Sequence, residues 1–148
     1  MLIVKIPLVN SLNDKTSGCE RAGNAVLDEL KKISVNENGK EINFQNLELE
    51  EIHIDNSDLE LSSKLIYENA FEIFEAKNRV IFLGGDNSIS YSLARAFFDY
   101  CENLHLSEKP CLIVFDAFLD LKNYNKFADN KSWLRKLIEE GFPKENIL

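Results

Sequence analysis

The sequence predicts an α/β protein, a three-layer α/β/α sandwich with a mostly parallel sheet. Short apolar runs of strand length alternate along the chain with amphipathic stretches of helix length. Two of the apolar runs, RVIFL and CLIVF, lack polar alternation and are typical of strands that are buried on both faces. The chain of 148 residues, 45% of them hydrophobic, is long enough for one domain spanning residues 1–148.

The individual elements follow from the periodicity of the apolar residues. Segments that are short and apolar, or that alternate in polarity, are predicted strands: residues 2–9, 51–55, 79–83, 111–115 and 146–148. Segments with an apolar stripe at helical spacing are predicted helices: residues 21–32, 58–76, 88–100 and 132–140.

Connecting segments and chain ends add further expectations. Pro7 indicates an edge strand or a bulge, because proline cannot donate to a sheet ladder. A polar loop is expected over residues 10–18, and a turn-rich excursion or small hairpin over residues 33–44. The sheet is expected to be truncated after its fourth or fifth strand, which would leave an apolar edge open to a second copy or to a complementing chain.

Composition excludes some classes of partner. The net charge of −8 argues against nucleic acid, which requires a basic surface, and suits a cation or a cationic small molecule better. The apolar start of the chain is too short for a membrane span and lacks the features of a signal peptide, so we expect no membrane partner. Three cysteines without regular spacing predict a reducing, cytoplasmic compartment, with Cys111 as a buried core thiol.

The first candidate site is the turn GGDNS after the strand at residues 79–83. Gly84 and Gly85 permit a sharp turn and a close backbone approach. Asp86, Asn87 or Ser88 can cap the following helix, and free N–H groups there could also receive an anion. On this motif alone, a well-capped strand–turn–helix is the simpler interpretation.

The second candidate site is the turn DAFLD after the strand at residues 111–115. Asp116 and Asp120 lie at the carboxyl end of a predicted parallel strand, where ligands bind in open α/β sheets. Paired carboxylates suit Mg²⁺ or Mn²⁺. The alternative is that Asp116 caps a turn and Asp120 is solvated. His53 and His105 lie outside both motifs and are expected to be structural or surface residues.

Both turns resemble the metal-binding motifs of the ureohydrolase family, which includes arginase, agmatinase and formimidoylglutamase. GGDNS is similar to Gly-Gly-Asp-His-Ser, with Asn87 in place of a manganese-ligand histidine. DAFLD is similar to Asp-Ala-His-x-Asp, so a metal-ligand role carries over to Asp116 and Asp120, whereas Phe118 replaces the second histidine. Phe118 cannot bind a metal and is expected to fill the metal cavity or to pack against its neighbours. Asn130 lies near the position that a histidine occupies in the family's substrate-side loop.

The resemblance spans the chain but covers only the amino-terminal half of a ureohydrolase domain. The family's later Ser-x-Asp-x-Asp motif, which supplies two more aspartate ligands, has no counterpart. The resemblance implies an arginase-like fold and a family chemistry of Mn²⁺-dependent hydrolysis of guanidino or amidino C–N bonds. We expect no manganese centre and no such activity in this chain alone.

Three alternatives stay open at this point. The chain could be half of a split or fragmentary ureohydrolase that another polypeptide completes, or it could be a non-catalytic binding or scaffolding module. A phosphate enzyme of the haloacid-dehalogenase type, with Asp116 as the nucleophile, is disfavoured because that type requires Asp-x-Asp after the strand.

Overall fold

A parallel sheet of three strands forms the centre of the fold. The computed structural model describes residues 1–9, 14–42, 47–77, 79–105, 109–124 and 127–148. The strands are β1 (Leu2–Ile6), β2 (Glu48–Glu51) and β3 (Val80–Gly84), in the order β2-β1-β3. Both pairings are parallel, with Leu2 opposite Glu48 on one side and opposite Val80 on the other. This arrangement confirms the predicted α/β class with a parallel sheet.

Strand β1 is the central strand, and its side chains are buried on both faces of the sheet. Leu2, Val4 and Ile6 are at most 1% exposed, and Ile3, which points to the other face, is 2% exposed. The first three pack with Ile66 of the helix Leu59–Ala76. The prediction that Pro7 marks an edge strand or a bulge is therefore wrong, because the strand ends at Ile6.

Within the described ranges, four α-helices accompany the sheet and confirm the predicted helical segments. They are α1 (Ala22–Leu30), α2 (Leu59–Ala76), α3 (Ile89–Asn103) and α4 (Trp133–Glu139). Asp58 caps α2 by accepting a hydrogen bond from the Leu61 N–H at 3.0 Å, which explains where that helix starts. Helices α2 and α3 lie on the same face of the sheet, since Ile66 of α2 and Ile89 of α3 belong to the core beneath β1.

A second apolar cluster joins α3 and α4 to residues 111–115. Phe98 of α3 packs there with Trp133, Leu134 and Leu137 of α4. The partly buried side chains of this cluster include Leu112, Val114 and Ile147.

The predicted strand at residues 111–115 is not part of the sheet. It pairs with the last three residues instead: the Leu112 N–H donates to the Asn146 carbonyl, and the Leu148 N–H donates to Leu112, each at 2.9 Å. These bonds make one parallel bridge between Leu112 and Ile147. The extended conformation is therefore confirmed, whereas among the described residues this segment does not pair with any strand of the sheet β2-β1-β3.

Three smaller expectations are corrected or refined. The strand predicted at residues 51–55 lies at Glu48–Glu51 instead, where the backbone reaches β1. The expected hairpin is present as an antiparallel bridge between Val35 and Glu41, while residues 43–44 lie outside the described part, as do residues 10–13 of the polar loop. Cys111 is exposed and not buried in the core, because its side chain does not point into the second cluster; Cys101 is the buried thiol.

The surface expectations for the histidines are confirmed. His53 and His105 are both exposed, and the His53 side chain lies 3.6 Å from Glu51. None of the described helices is both long enough and apolar enough to cross a lipid bilayer.

Candidate functional site

The turn after β3 is held rigidly by its neighbours. The Gly85 N–H donates to the Ile6 carbonyl and the Asp86 N–H donates to the Leu8 carbonyl, both at 3.0 Å. A Cβ atom on Gly85 would lie 2.1 Å from the Leu8 carbonyl oxygen, so no other residue fits without a shift of the backbone. The Asp86 carboxylate accepts from the Ser88 N–H at 2.9 Å. The N–H groups of Gly85, Asp86 and Ser88 thus have protein acceptors.

Asn87 connects the two predicted turns. Its side-chain Nδ2 donates to Asp116 Oδ2 and to Asp120 Oδ2, each at 2.9 Å. Its Oδ1 accepts from the Ser90 hydroxyl at 2.6 Å. The neutral amide lies between the two carboxylates and donates one N–H group to each. These hydrogen bonds reduce the repulsion between the two negative charges.

Asp120 is the buried member of this group. The residue is 8% exposed, and it adopts a left-handed backbone conformation with φ of +48°. Its Oδ2 also accepts from the Trp133 indole N–H at 2.8 Å. Burial raises the pKa of Asp120 and the nearby charge of Asp116 raises it further, while the hydrogen bonds from Trp133 and Asn87 lower the pKa in part.

Asp116 and Phe118 lie on the exposed side of the same turn. The second oxygen of the Asp116 carboxylate accepts from the Phe118 N–H at 2.9 Å, which closes an Asx turn. The Phe118 ring is 77% exposed. The expectation that this ring fills the metal cavity or packs against its neighbours is therefore wrong, because the turn directs the ring outwards.

The donor set does not fit a centre of two manganese ions. Two carboxylates and one amide converge, but the amide presents N–H and not oxygen to the carboxylates. If the amide of Asn87 turned over, three protein oxygens could reach one hard cation, while two bridged metal ions need more ligands than that. Among the described residues, no group of three or more His, Cys, Asp or Glu side chains could hold a metal ion.

The described residues that lead into α4 include Asn130. Asn130 is half-buried in the turn that leads into this helix. Ser132 is fully buried at the N-cap position, where its hydroxyl donates to the Asp129 carboxylate at 2.5 Å and accepts from the Asp129 N–H at 2.9 Å. The negative charge of Asp129 also contributes to the raised pKa of Asp120.

Sequence reasoning missed the roles of Trp133 and Ser90 in this group. Trp133 is a core anchor, since the residue is 4% exposed in the second cluster. Its indole N–H, however, had to find an acceptor once buried, and Asp120 provides it. The need of a buried indole N–H for an acceptor was the one signal in the sequence for this contact. Ser90 gave no signal beyond its position three residues after Asn87.

Comparison with known proteins gives a single family. A model of the arginase family matches residues 1–148. No protein with curated annotation matches the sequence. The similar solved structures include formimidoylglutamase from Bacillus subtilis subsp. subtilis str. 168, with 23% identity and a TM-score of 0.81. They also include a putative agmatinase from Clostridium difficile, with 16% identity and a TM-score of 0.75. A third is the formiminoglutamase of Trypanosoma cruzi with Mn²⁺, with 17% identity and a TM-score of 0.76.

The chain spans about half the length of the solved structures that it matches. The three alignments each cover 99% of this chain, but only 45%, 52% and 50% of the respective solved chains. These similarities show that residues 1–148 have the fold of one part of those chains.

Proposed function

The chain belongs to the arginase family, and on this premise we propose that it has the family's fold but, by itself, no metal-dependent hydrolase activity. The observation that carries the proposal is the Asn87 amide between Asp116 and Asp120, with a 2.9 Å hydrogen bond to each. The carboxylates that would bind metal in a ureohydrolase are thus satisfied by protein donors.

Ligand chemistry supports this proposal. Metal-dependent hydrolysis requires a metal that lowers the pKa of bound water so that hydroxide is present near neutral pH. A neutral amide is a weaker ligand than imidazole for a transition metal, and the Phe118 ring offers no donor at all. The remaining carboxylates, Asp116 and Asp120, would hold a hard cation weakly and without fixed geometry.

Calorimetry and turnover assays test the proposal directly. We expect titration of the chain with Mn²⁺ to show no stoichiometric high-affinity binding, and we expect no urea from arginine or agmatine and no hydrolysis of formimidoylglutamate. A matched control is Asp120→Asn, which removes one of the two carboxylate charges. Stoichiometric Mn²⁺ binding that disappears in Asp120→Asn, together with turnover, would contradict the proposal.

A double variant examines which residues limit metal binding. Replacing Asn87 and Phe118 by histidine restores the two nitrogen donors of the family motifs. We expect this variant to bind Mn²⁺ modestly more tightly than the natural chain in calorimetry, because imidazole is the better ligand. We expect no urea production, since the other ligands are still lacking. Measurable turnover by this variant would show that the two histidines were the only missing parts.

A second candidate function is supported by the length comparison: the chain is one part of a ureohydrolase that another polypeptide completes. The matched structures are about twice as long as this chain. The T. cruzi formiminoglutamase has been solved with Mn²⁺ both unmodified and as a variant with an asparagine replaced by histidine. That protein therefore holds Mn²⁺ with either asparagine or histidine at the replaced position. Mn²⁺-dependent turnover that appears only after a second polypeptide is added would favour this candidate.

We further propose that neither nucleic acid nor a membrane is a partner of this chain, and that it is cytoplasmic. The net charge of −8 disfavours binding to phosphate backbones. The expected result is no retention on heparin or on immobilised DNA at moderate salt, and a cytosolic signal for a tagged chain in cell fractionation.

A further inference from the structure

A tight turn closes the small hairpin that follows α1. The Gly39 N–H donates to the Asn36 carbonyl, and the Asn36 N–H donates to the Lys40 carbonyl, each at 2.9 Å. Gly39 has a φ of +72°, a left-handed conformation that glycine adopts at little cost. Apart from its two neighbours in the chain, no described residue has an atom within 4 Å of the place that a Cβ on Gly39 would occupy. The backbone conformation therefore favours glycine here, and the nitrogen of this glycine has no shielding side chain.

The Asn36 side chain holds this turn closed. Its Oδ1 accepts from the Asn38 N–H at 3.0 Å and from the Lys40 N–H at 2.9 Å. Asn38, Gly39 and Lys40 are themselves exposed, and none of residues 34–42 belongs to either apolar cluster. Opening the turn therefore breaks exposed hydrogen bonds and disrupts neither cluster, so it requires much less free energy than unfolding of the whole chain.

Asn38 carries a side-chain amide next to the Gly39 nitrogen. It is the one asparagine in the sequence that a glycine follows. A backbone nitrogen can attack the side-chain Cγ of a preceding asparagine and close a five-membered ring, and a side chain on the attacking residue hinders this approach. The Asn38 residue is exposed to water, and its Nδ2 donates to Glu37 Oε1 at 3.3 Å. An asparagine amide and an unshielded backbone nitrogen thus lie together at the surface.

We propose that Asn38 is a site of spontaneous modification, at which the side-chain amide is converted into a mixture of aspartate and isoaspartate. The Gly39 nitrogen loses its proton and forms a bond to Asn38 Cγ. The bond from Cγ to Nδ2 breaks, and the departing NH₂ group takes up that proton and leaves as ammonia. Water then opens the cyclic imide: cleavage at Cγ gives aspartate, and cleavage at the backbone carbonyl gives isoaspartate. The reaction requires no oxidant or reductant and does not depend on any hydrolase activity of the chain.

The closed turn slows this reaction. The Gly39 N–H is bonded to the Asn36 carbonyl, and the Asn36 side chain holds the N–H groups of the residues on both sides of Gly39. The attack therefore starts from the opened turn. Asn36 is a positioning residue, because its hydrogen bonds set how often the turn opens.

The products weaken the hairpin further. Either product adds one carboxylate to a segment that already contains Glu37 and Glu41, and like charges destabilise pairing across a hairpin. Isoaspartate also lengthens the backbone by one methylene group, which disturbs the register of the bridge between Val35 and Glu41. The modification thus makes the chain more negative and loosens the hairpin after α1.

Ageing of the full chain tests the proposal. The protein is incubated at neutral pH with and without denaturing guanidinium chloride, and its peptides are analysed by mass spectrometry. An isoaspartyl methyltransferase, which methylates isoaspartate, detects that product independently. We expect a mass increase of one dalton in the peptide that contains Asn38, with isoaspartate present, and a rate at least about fivefold higher in the denaturant. The exposed Asn103, which Leu104 follows, is the internal control and is expected to stay unmodified over the same time.

Two variants of Asn36 examine its role in the folded chain. Asn36→Ala removes the acceptor of two N–H groups, and we expect Asn38 to be converted at least about fivefold faster than in the natural chain. Asn36→Asp keeps an acceptor oxygen, and we expect a rate within about twofold of the natural chain. Circular dichroism checks that both variants are folded. Asn38→Gln, in which ring closure would need six atoms, is expected to show no conversion.

Four outcomes would overturn the proposal. They are an unmodified Asn38 in the folded chain after the denatured chain has been converted, equal rates in the natural chain and in Asn36→Ala, an Asn36→Asp rate as high as that of Asn36→Ala, and equal conversion of Asn103. The comparison of the folded with the denatured chain uses the natural sequence, so it decides the matter even where a variant does not fold.

Discussion

The turn after β3 and the turn after residues 111–115 differ in how completely the chain surrounds them. In the first turn, Gly85 lies directly against the Leu8 backbone, and Ser88 and Ile89 are each 8% exposed. In the second turn, Asp120 is 8% exposed, whereas Phe118 and Leu119 are 77% and 76% exposed. The first turn borders the central strand β1, and the second borders a groove of about 420 Å³ whose lining includes Phe82 and Phe115. Among the described residues, the strand end that borders a paired strand of the sheet is thus the more enclosed of the two.

The largest expected effect is at Gly85. We expect Gly85→Ala to lower the free energy of unfolding by about 3 kcal/mol, because the new Cβ would lie 2.1 Å from the Leu8 carbonyl oxygen, which cannot move without the backbone. Urea unfolding measures the change. Gly23→Ala is the matched control: its Cβ would lie 3.4 Å from the flexible Lys5 side chain, so we expect a change within about 1 kcal/mol. Equal effects at the two glycines would contradict the rigid first turn.

The next effect concerns the hydrogen bond between Trp133 and Asp120. We expect Trp133→Phe to destabilise the chain by about 1–3 kcal/mol, because a buried carboxylate loses its donor while most of the ring packing remains. A double-mutant cycle with Asp120→Ala, which removes the acceptor, separates this bond from the loss of packing. If the two substitutions have strictly additive effects, the bond does not contribute to stability.

A smaller effect is the pH dependence that Asp120 introduces. Its folded-state pKa lies above the ordinary value of 3.8, chiefly because of burial. The folded state therefore keeps this proton at a higher pH than the unfolded chain does. The stability that the protonated group contributes is fully present below the unfolded pKa and is lost as the pH rises through the folded pKa.

Asp120→Asn measures that dependence, since asparagine also tolerates the left-handed conformation. We expect the free energy of unfolding of the natural chain, relative to this variant, to fall as the pH rises from about 4 towards neutrality. Unfolding in urea at a series of pH values gives the difference. A difference that is constant over this range, or that rises, would contradict the raised pKa.

The smallest effect is expected at Phe118. Its ring is 77% exposed, so we expect Phe118→Ser to change the free energy of unfolding by no more than about 0.5 kcal/mol in the isolated chain. Urea unfolding measures this change in the free energy of unfolding. A loss of about 3 kcal/mol or more, which is the cost of removing a buried ring, would show that the second turn is enclosed like the first.

Much of the fold was predictable because periodicity reports local burial. Each of the four predicted helices is present, and the helix after β3 begins within one residue of the predicted position. The turns GGDNS and DAFLD were also predicted to bring the polar side chains of the candidate site together. The strand at residues 111–115 shows the limit: its apolar run predicts an extended conformation but not which segment pairs with it.

The arrangement of the candidate site was only partly predictable. The sequence indicates that Asp116 and Asp120 lie near the GGDNS turn, since parallel strand ends meet at one edge. It does not indicate that the Asn87 amide donates to both carboxylates, nor that Trp133 donates to Asp120. Those bonds join residues that are 13 to 33 positions apart, so they depend on how the elements pack.

The sequence alone determined the α/β class, the four helices, the glycine-rich first turn and the family resemblance, because each depends on the order and type of neighbouring residues. The tertiary structure alone decided that β1 is the central strand, that Phe118 points outwards, and that β3 and residues 111–115 border an open groove. The physical reason is that pairing and exposure depend on which segments occupy the space beside a strand, and periodicity along the chain carries no information about that space.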